Sequence, residues 1–210
     1  GNHDFAHGVA FLRRVLRDAA YPVTLANARL TNGAPLWSET LLLRRQMQDE
    51  TGQSHRLTIG VFGVLPPQTV DWETGLATDL QTEDVVVAAQ RAVLSLKARG
   101  ADVIVALSHG GHGNGAVPRA ENAAGIIAGI DGVSAVIAGH THETIVRPAT
   151  ETSAPIVEAG YAGSHLAAIS LRLRGRPGAW RIDSPRAEAL PAAAKPCPAL
   201  ADTLKSVPAD

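Results

Sequence analysis

Apolar positions along the chain change period twice. Val9, Leu12, Val15, Leu16 and Ala19 recur at helical spacing, with Arg13, Arg14, Arg17 and Asp18 on the opposite face, and Pro22 ends the pattern. Residues 22–28 are apolar and β-prone. Residues 40–47 alternate, with Leu41, Leu43, Arg45 and Met47 on one face and Leu42, Arg44 and Gln46 on the other. Asp49-Glu50-Thr51-Gly52-Gln53 is a turn signal and 57–65 reads as a second strand, which predicts a hairpin. A polar loop then runs to residue 82. Beyond it the spacing predicts a helix over 85–99 closed by Gly100, a continuous apolar strand over 101–107, a helix-like stretch over 119–130, and a second buried strand over 133–138. This alternation predicts βαβ units in an α/β layer architecture. After Glu143 the helices stop, and 154–159, 165–174 and 179–183 read as strands added antiparallel to the same sheet system. From Ser184 the composition turns to Pro and Ala, which reads as a linker with one weak helix over 200–206.

Composition narrows the class. The 210 residues suffice for one domain with a buried core, and 45% apolar with 19% charged residues describe a globular chain. A formal net charge of −1 with no basic run argues against a nucleic-acid polymer as partner, while a mononucleotide stays open because metal ions can supply local positive charge. Cys197 is the single cysteine, so an intramolecular disulfide and a cysteine-rich zinc site are both excluded. No apolar stretch is long enough to span a membrane. The chain contains no signal peptide and opens inside a motif without an initiator Met, so its natural start is expected upstream.

The two best buried strands both deliver histidine at their carboxyl ends, where open α/β sheets bind ligands. Ser108-His109 follows the first, and Gly139-His140-Thr141-His142 follows the second. Neutral imidazole suits borderline divalent ions. In an extended segment His140 and His142 point to one side and Thr141 to the other, where it can support the ligands. His7, His55, His112 and His165, each taken alone, read as exposed polar residues. Gly1-Asn2-His3-Asp4 adds an amide oxygen able to coordinate and an imidazole able to act on a phosphoryl group.

The ordered set Gly1-Asn2-His3-Asp4, His109 and Gly139-His140-Thr141-His142 resembles the calcineurin-like metallophosphoesterases. Within them the chain looks like the 5′-nucleotidase group, and most like the bacterial 2′,3′-cyclic-nucleotide 2′-phosphodiesterase/3′-nucleotidase branch. The further markers are Gly60-Val61-Phe62-Gly63-Val64-Leu65-Pro66-Pro67-Gln68 with Trp72, Ala120-Glu121-Asn122, and Gly160-Tyr161-Ala162-Gly163-Ser164-His165-Leu166.

The resemblance implies the later half of a four-layer α-β-β-α sandwich, a mixed sheet with βαβ units followed by antiparallel strands. Residues 1–183 would be a partial catalytic domain and 184–210 a linker toward a C-terminal nucleotide-binding domain. It implies two divalent metal ions (Mn, Zn, Co, Fe or Mg), with Asn2, His109 and His140 on one and His142 on the other. His3 would stabilise the transition state or protonate the leaving group, and no residue is assigned to substrate binding. Where 5′-nucleotidases often carry an Asp three positions after this His, the chain has Ala6, read as a feature of the branch; whether Asp4 orients His3 stays open. The implied substrate is a nucleotide or cyclic nucleotide, and the implied location is the periplasm. A 5′-nucleotidase or nucleotide-sugar hydrolase is the alternative, and a non-catalytic fragment binding at most one metal is a third. The family's upstream Asp-x-His and Gly-Asp motifs fall outside the sequence. The 210-residue chain alone is therefore expected to show little activity, to expose an apolar sheet face and to self-associate.

Overall fold

The computed structural model describes residues 1–113 and 117–192. After a 3-10 turn over Asn2–Phe5 come helix α1 (Gly8–Leu16), strand β1 (Ala28–Leu30), and strands β2 (Thr40–Gln48) and β3 (Ser54–Val64). The short helix α2 (Thr69–Trp72), a second 3-10 turn (Leu76–Thr78) and strand β4 (Leu80–Thr82) occupy the segment read as a polar loop. Helix α3 (Val85–Ala98), strand β5 (Val103–Ser108), helix α4 (Ala124–Ala128) and strand β6 (Ala135–Ala138) follow. The chain continues with β7 (Thr144–Arg147), β8 (Ile156–Ala159), β9 (His165–Arg174) and β10 (Arg181–Pro191).

Six strands form the central mixed sheet in the order β2-β3-β5-β6-β8-β7. β2 and β3 are the expected antiparallel hairpin. Asp49 Oδ1 closes their turn by accepting from the Thr51 N–H at 2.8 Å and the Gln53 N–H at 3.0 Å, with Gly52 at φ +83°. The Thr51 hydroxyl, then His55, hold the Asp49 carboxyl well below the usual range. β3, β5, β6 and β8 run parallel to one another, and only β7 returns antiparallel at the far edge.

The later strands therefore depart from the sequence reading. β8 joins the parallel core and β7 was missed. β9 and β10 form a two-stranded sheet of their own, packed against β8. β10 runs to Pro191, so 184–191 are strand where a linker was expected. Pro185 and Pro191 are tolerated because β10 pairs only with β9 and so has a free edge. Cys197 and the helix expected over 200–206 lie outside the described residues. Among those described, no helix is long and apolar enough to cross a membrane.

α3 covers one face of the sheet. Asp84 caps it by accepting from the Val86 and Val87 N–H groups at 2.8 and 3.1 Å. Burial acts to raise the Asp84 carboxyl, but the backbone N–H groups of Arg119, Val87 and Val86 and the Arg119 charge together hold it below its ordinary value. Ala88, Ala89, Ala92, Val93 and Leu96 pack with α4 onto Phe62, Ile104, Ala106, Val136 and Ile156. Covering each large apolar side chain stabilises the fold by ~1.5–3 kcal/mol. α4 is shorter than the stretch read as helix-like, because Arg119 sits at φ +56° and the 117–122 segment crosses to the start of α3 instead. A second cluster joins Phe5, Val9 and Leu12 to Leu25, Leu36, Leu65, Leu76 and Leu80. It seats the first residues of the chain against the sheet.

The other face of the sheet is covered unevenly. Val157 is buried where β9 and β10 lie over β8, but Leu107 and Ile137, paired across β5 and β6, are each 41% exposed. This is the open apolar face that the resemblance led one to expect.

Candidate active site

The carboxyl ends of β5 and β6 lie side by side and carry the histidines outward. The His109 N–H donates to the Val64 carbonyl at 2.9 Å, so the chain keeps its ladder for one residue beyond β5 before turning. The Asn2–Phe5 turn, held by Phe5 in its apolar cluster, places Asn2 over that end with only 4% exposure. Asn2 Oδ1 lies 2.9 Å from His109 Nε2. Gly1 is required here, because a Cβ at that position would overlap the His109 ring. Burial first, with the neighbouring His140 adding to it, holds the His109 imidazole below its ordinary value, which favours the neutral ring with a lone pair to give.

His140 meets His109 edge to face, with ring centroids 5.3 Å apart at 60°. Its Nε2 is 2.8 Å from Glu121 Oε1, and Trp72 stacks on its face at 5.6 Å and 13°. Asn2, His109 and His140, brought from the chain start and two strand ends, therefore converge.

The same-side reading of His140 and His142 is corrected. Their φ angles are +82° and +61°, so Gly139-His140-Thr141-His142 is a left-handed turn rather than an extended segment. His142 instead stacks on Tyr161 at 5.6 Å and 22°. Left-handed conformations in non-glycine residues cost ~1–3 kcal/mol each and persist only where the surroundings enforce them. Thr141 supplies that enforcement. Its hydroxyl donates to Glu158, 2.9 Å from each carboxylate oxygen. Glu158 is 1% exposed on β8, on the helix-covered side of the sheet. A Cβ at Gly111 would overlap the Thr141 methyl, so the loop after β5 is also fitted to this turn.

His3 is exposed beside Asn2. Of the histidines read as surface residues, His112 departs most: it is half-buried, with its Nδ1 buried and unpartnered among the described residues. Sequence reasoning assigned no role to Glu121, Glu158 or Tyr161. Glu121 and Tyr161 stood only as motif markers, and nothing in a strand reading of 154–159 distinguishes a buried glutamate. A cleft of about 420 Å³ opens beside His109, lined by Gly1, Asp4, Tyr21, Leu107, Ile137 and Gly139 among others.

No family model matches the chain. It is 31% identical over 197 residues to the trifunctional nucleotide phosphoesterase protein YfkN of Bacillus subtilis, covering 87% of this chain and 14% of that protein. It is 30% identical over 202 residues to a 2′,3′-cyclic-nucleotide 2′-phosphodiesterase/3′-nucleotidase of Haemophilus influenzae, covering 89% of this chain and 31% of the relative. Its structure superposes on the crystal structure of the calcineurin-like phosphoesterase YfkN from Bacillus subtilis with a TM-score of 0.84 at 29% identity, covering 91% of this chain and 62% of that one. By fold and sequence kinship the chain belongs to the calcineurin-like phosphoesterase family, and it spans less than a third of the two curated relatives. Both of those relatives bear nucleotide phosphoesterase names.

Divalent metals go with that class, and the donor set can be tested for them. Among the described residues no three His, Cys, Asp or Glu side chains form a metal cage. The triad here takes its third donor from an amide. Two ligands ~2.1 Å from one ion at a right angle stand ~3.0 Å apart. Asn2 Oδ1 and His109 Nε2, 2.9 Å apart, have this spacing, and an ion held by both would take the place of the hydrogen bond that His109 Nε2–H makes to the amide oxygen. A neutral, partly buried His109 and the adjacent His140 complete an oxygen–nitrogen–nitrogen set suited to a borderline ion. The residues present therefore fit one ion.

Proposed function

We propose that this chain is the later part of a nucleotide phosphoesterase site, acting on 2′,3′-cyclic nucleotides and 3′-nucleotides in the whole protein. Asn2, His109 and His140 would hold one divalent ion and His142 would belong to a second. The ions, when bound, supply a nucleophilic water at neutral pH and offset charge on the phosphoryl oxygens. The chain's own residues do the rest. Gly1 and Asn2 fix the position of His109, and Thr141 with Glu158 fixes the turn that carries His140 and His142. The exposed His3 imidazole would deliver a proton to the departing ribose oxygen. An exported, periplasmic location belongs to the same reading.

The observation that carries this is the meeting of Asn2, His109 and His140 at adjacent strand ends. The test is a Mn²⁺ titration of the 210-residue chain by calorimetry. One equivalent is expected to bind, and His109→Ala and His140→Ala are each expected to abolish binding. Saturating Mn²⁺ binding unaffected by both variants would sink the assignment. For the substrate, the full-length protein should hydrolyse 2′,3′-cyclic AMP in preference to AMP. The isolated chain should hydrolyse bis-p-nitrophenyl phosphate slowly or not at all.

A further inference from the structure

The His140 ring is constrained on three sides. His109 lies at its edge, Trp72 covers one face, and Glu121 Oε1 stands 2.8 Å from Nε2. Each contact comes from a separate part of the chain, and the fold secures each separately. Trp72 ends α2, whose start is fixed by the buried Thr69 hydroxyl donating to the Pro66 carbonyl at 2.7 Å. The segment ahead of α2 is fixed in turn by the fully buried Asn27. Its side chain donates to the Leu65 carbonyl at 2.8 Å and accepts from the Leu65 N–H at 3.0 Å.

Glu121 is set with equal care. Arg119 donates its N–H to Asp84 at 2.6 Å, and its carbonyl accepts from the Gln68 side chain at 2.7 Å. On the other side of Glu121, Asn122 Oδ1 accepts from the Gly111 N–H at 2.8 Å, tying the segment to the loop after β5. Arg119, two residues before Glu121, and Asn122, directly after it, are thus held to the framework, and the carboxylate between them is aimed at one ring nitrogen.

A neutral imidazole carries its proton on one nitrogen and its lone pair on the other. A carboxylate accepts and cannot donate, so the nitrogen facing Glu121 is the protonated one. We infer that Glu121 is a positioning residue for His140: it takes the hydrogen bond from Nε2–H, leaving Nδ1 as the ring atom able to hold an ion, while Trp72 keeps the ring in plane. The inference deepens the function proposed above and rests on it for the ion. The tautomer itself does not depend on an ion. Partners of this kind, placed behind a ligand histidine, typically contribute 10–100-fold in metal affinity (about that range).

Two measurements on the 210-residue chain test it. The first uses metal-free protein at about pH 8, where free imidazole is neutral. A long-range ¹H–¹⁵N correlation spectrum, with His140 assigned by comparison with His140→Gln, should show the Nε2–H tautomer. Glu121→Gln, which keeps an acceptor oxygen, should preserve it, and Glu121→Ala should give a mixture of tautomers. The second is a Mn²⁺ titration. Glu121→Ala should bind ~10–100-fold more weakly than the parent, with Glu121→Gln close to the parent and thermal midpoints of the metal-free variants unchanged. A Glu121→Ala chain with the parent's tautomer and the parent's Mn²⁺ affinity would overturn the inference. A parent that binds no Mn²⁺ would overturn the proposed function, and the tautomer of the metal-free chain would still decide the part played by Glu121.

Discussion

On the covered side of the six-stranded sheet, Ala106 and Val136 are fully buried. One residue further along the same two strands, on the opposite side, Leu107 and Ile137 stand open. In the sequence the four positions look alike, four apolar residues in two continuous apolar runs. What separates them is that α3 and α4 lie over one face, whereas on the other β9 and β10 reach only as far as β8. A continuous apolar run therefore says that both faces of a strand are built to be covered, and not that the chain in hand covers both.

The difference sets a ladder of expected effects. The largest belongs to the covered side: Leu96→Ala, which empties a site packed by α3 against Gly60, should cost ~2–5 kcal/mol, read from urea unfolding midpoints. Next comes the polar end of that side. Thr141→Val leaves the buried Glu158 carboxylate without its donor and should cost ~1–3 kcal/mol. Thr141→Ser, which keeps the hydroxyl, should restore most of it. Equal unfolding midpoints for the valine and serine variants would remove Thr141 as the anchor of the turn.

Asp84→Ala, at the cap of α3, should cost ~0.5–2 kcal/mol near neutral pH. The native Asp84 carboxyl is held below its ordinary value. Its contribution is therefore complete above the unfolded value of ~3.9 and disappears as pH falls through the depressed native value. The gap between parent and Asp84→Ala should narrow between pH ~6 and pH ~2; a gap that stays constant would show the cap to be charge-independent. The smallest effect is expected on the open face, where Leu107→Asn with Ile137→Thr should leave stability within ~0.5 kcal/mol. The same pair should reduce self-association in sedimentation velocity. A large loss of stability from it would erase the distinction between the two faces.

Local patterns were legible where local forces decide. The β2–β3 hairpin follows from alternation and an Asp-x-x-Gly turn, α3 from its helical spacing and a closing Gly, and β9 from a strand reading whose bounds agree with the structure. The placement of His109 and His140 at neighbouring strand ends was legible for the same reason. The direction of β8, the separate β9–β10 sheet and the length of β10 were not, because they depend on which edge a strand finds. The turn at His140 and His142 was misread because extended geometry is the default after a strand, and a contact from β8 overrides it. Glu121 was visible only as a motif letter, since its partner lies nineteen positions further along the chain.

The hydrogen bond from Thr141 to Glu158 has a bearing on how such sites are to be found and moved. Gly-His-Thr-His looks like a self-sufficient word of four letters, yet its shape is written partly at a position seventeen residues beyond the threonine. A chain with the four letters but an apolar residue at the place of Glu158 would spell the motif without forming the turn. A graft of the turn onto another scaffold would have to bring the glutamate and a strand to hold it. The useful signature is thus a discontinuous one, Gly-His-Thr-His paired with a buried carboxylate on the next parallel strand.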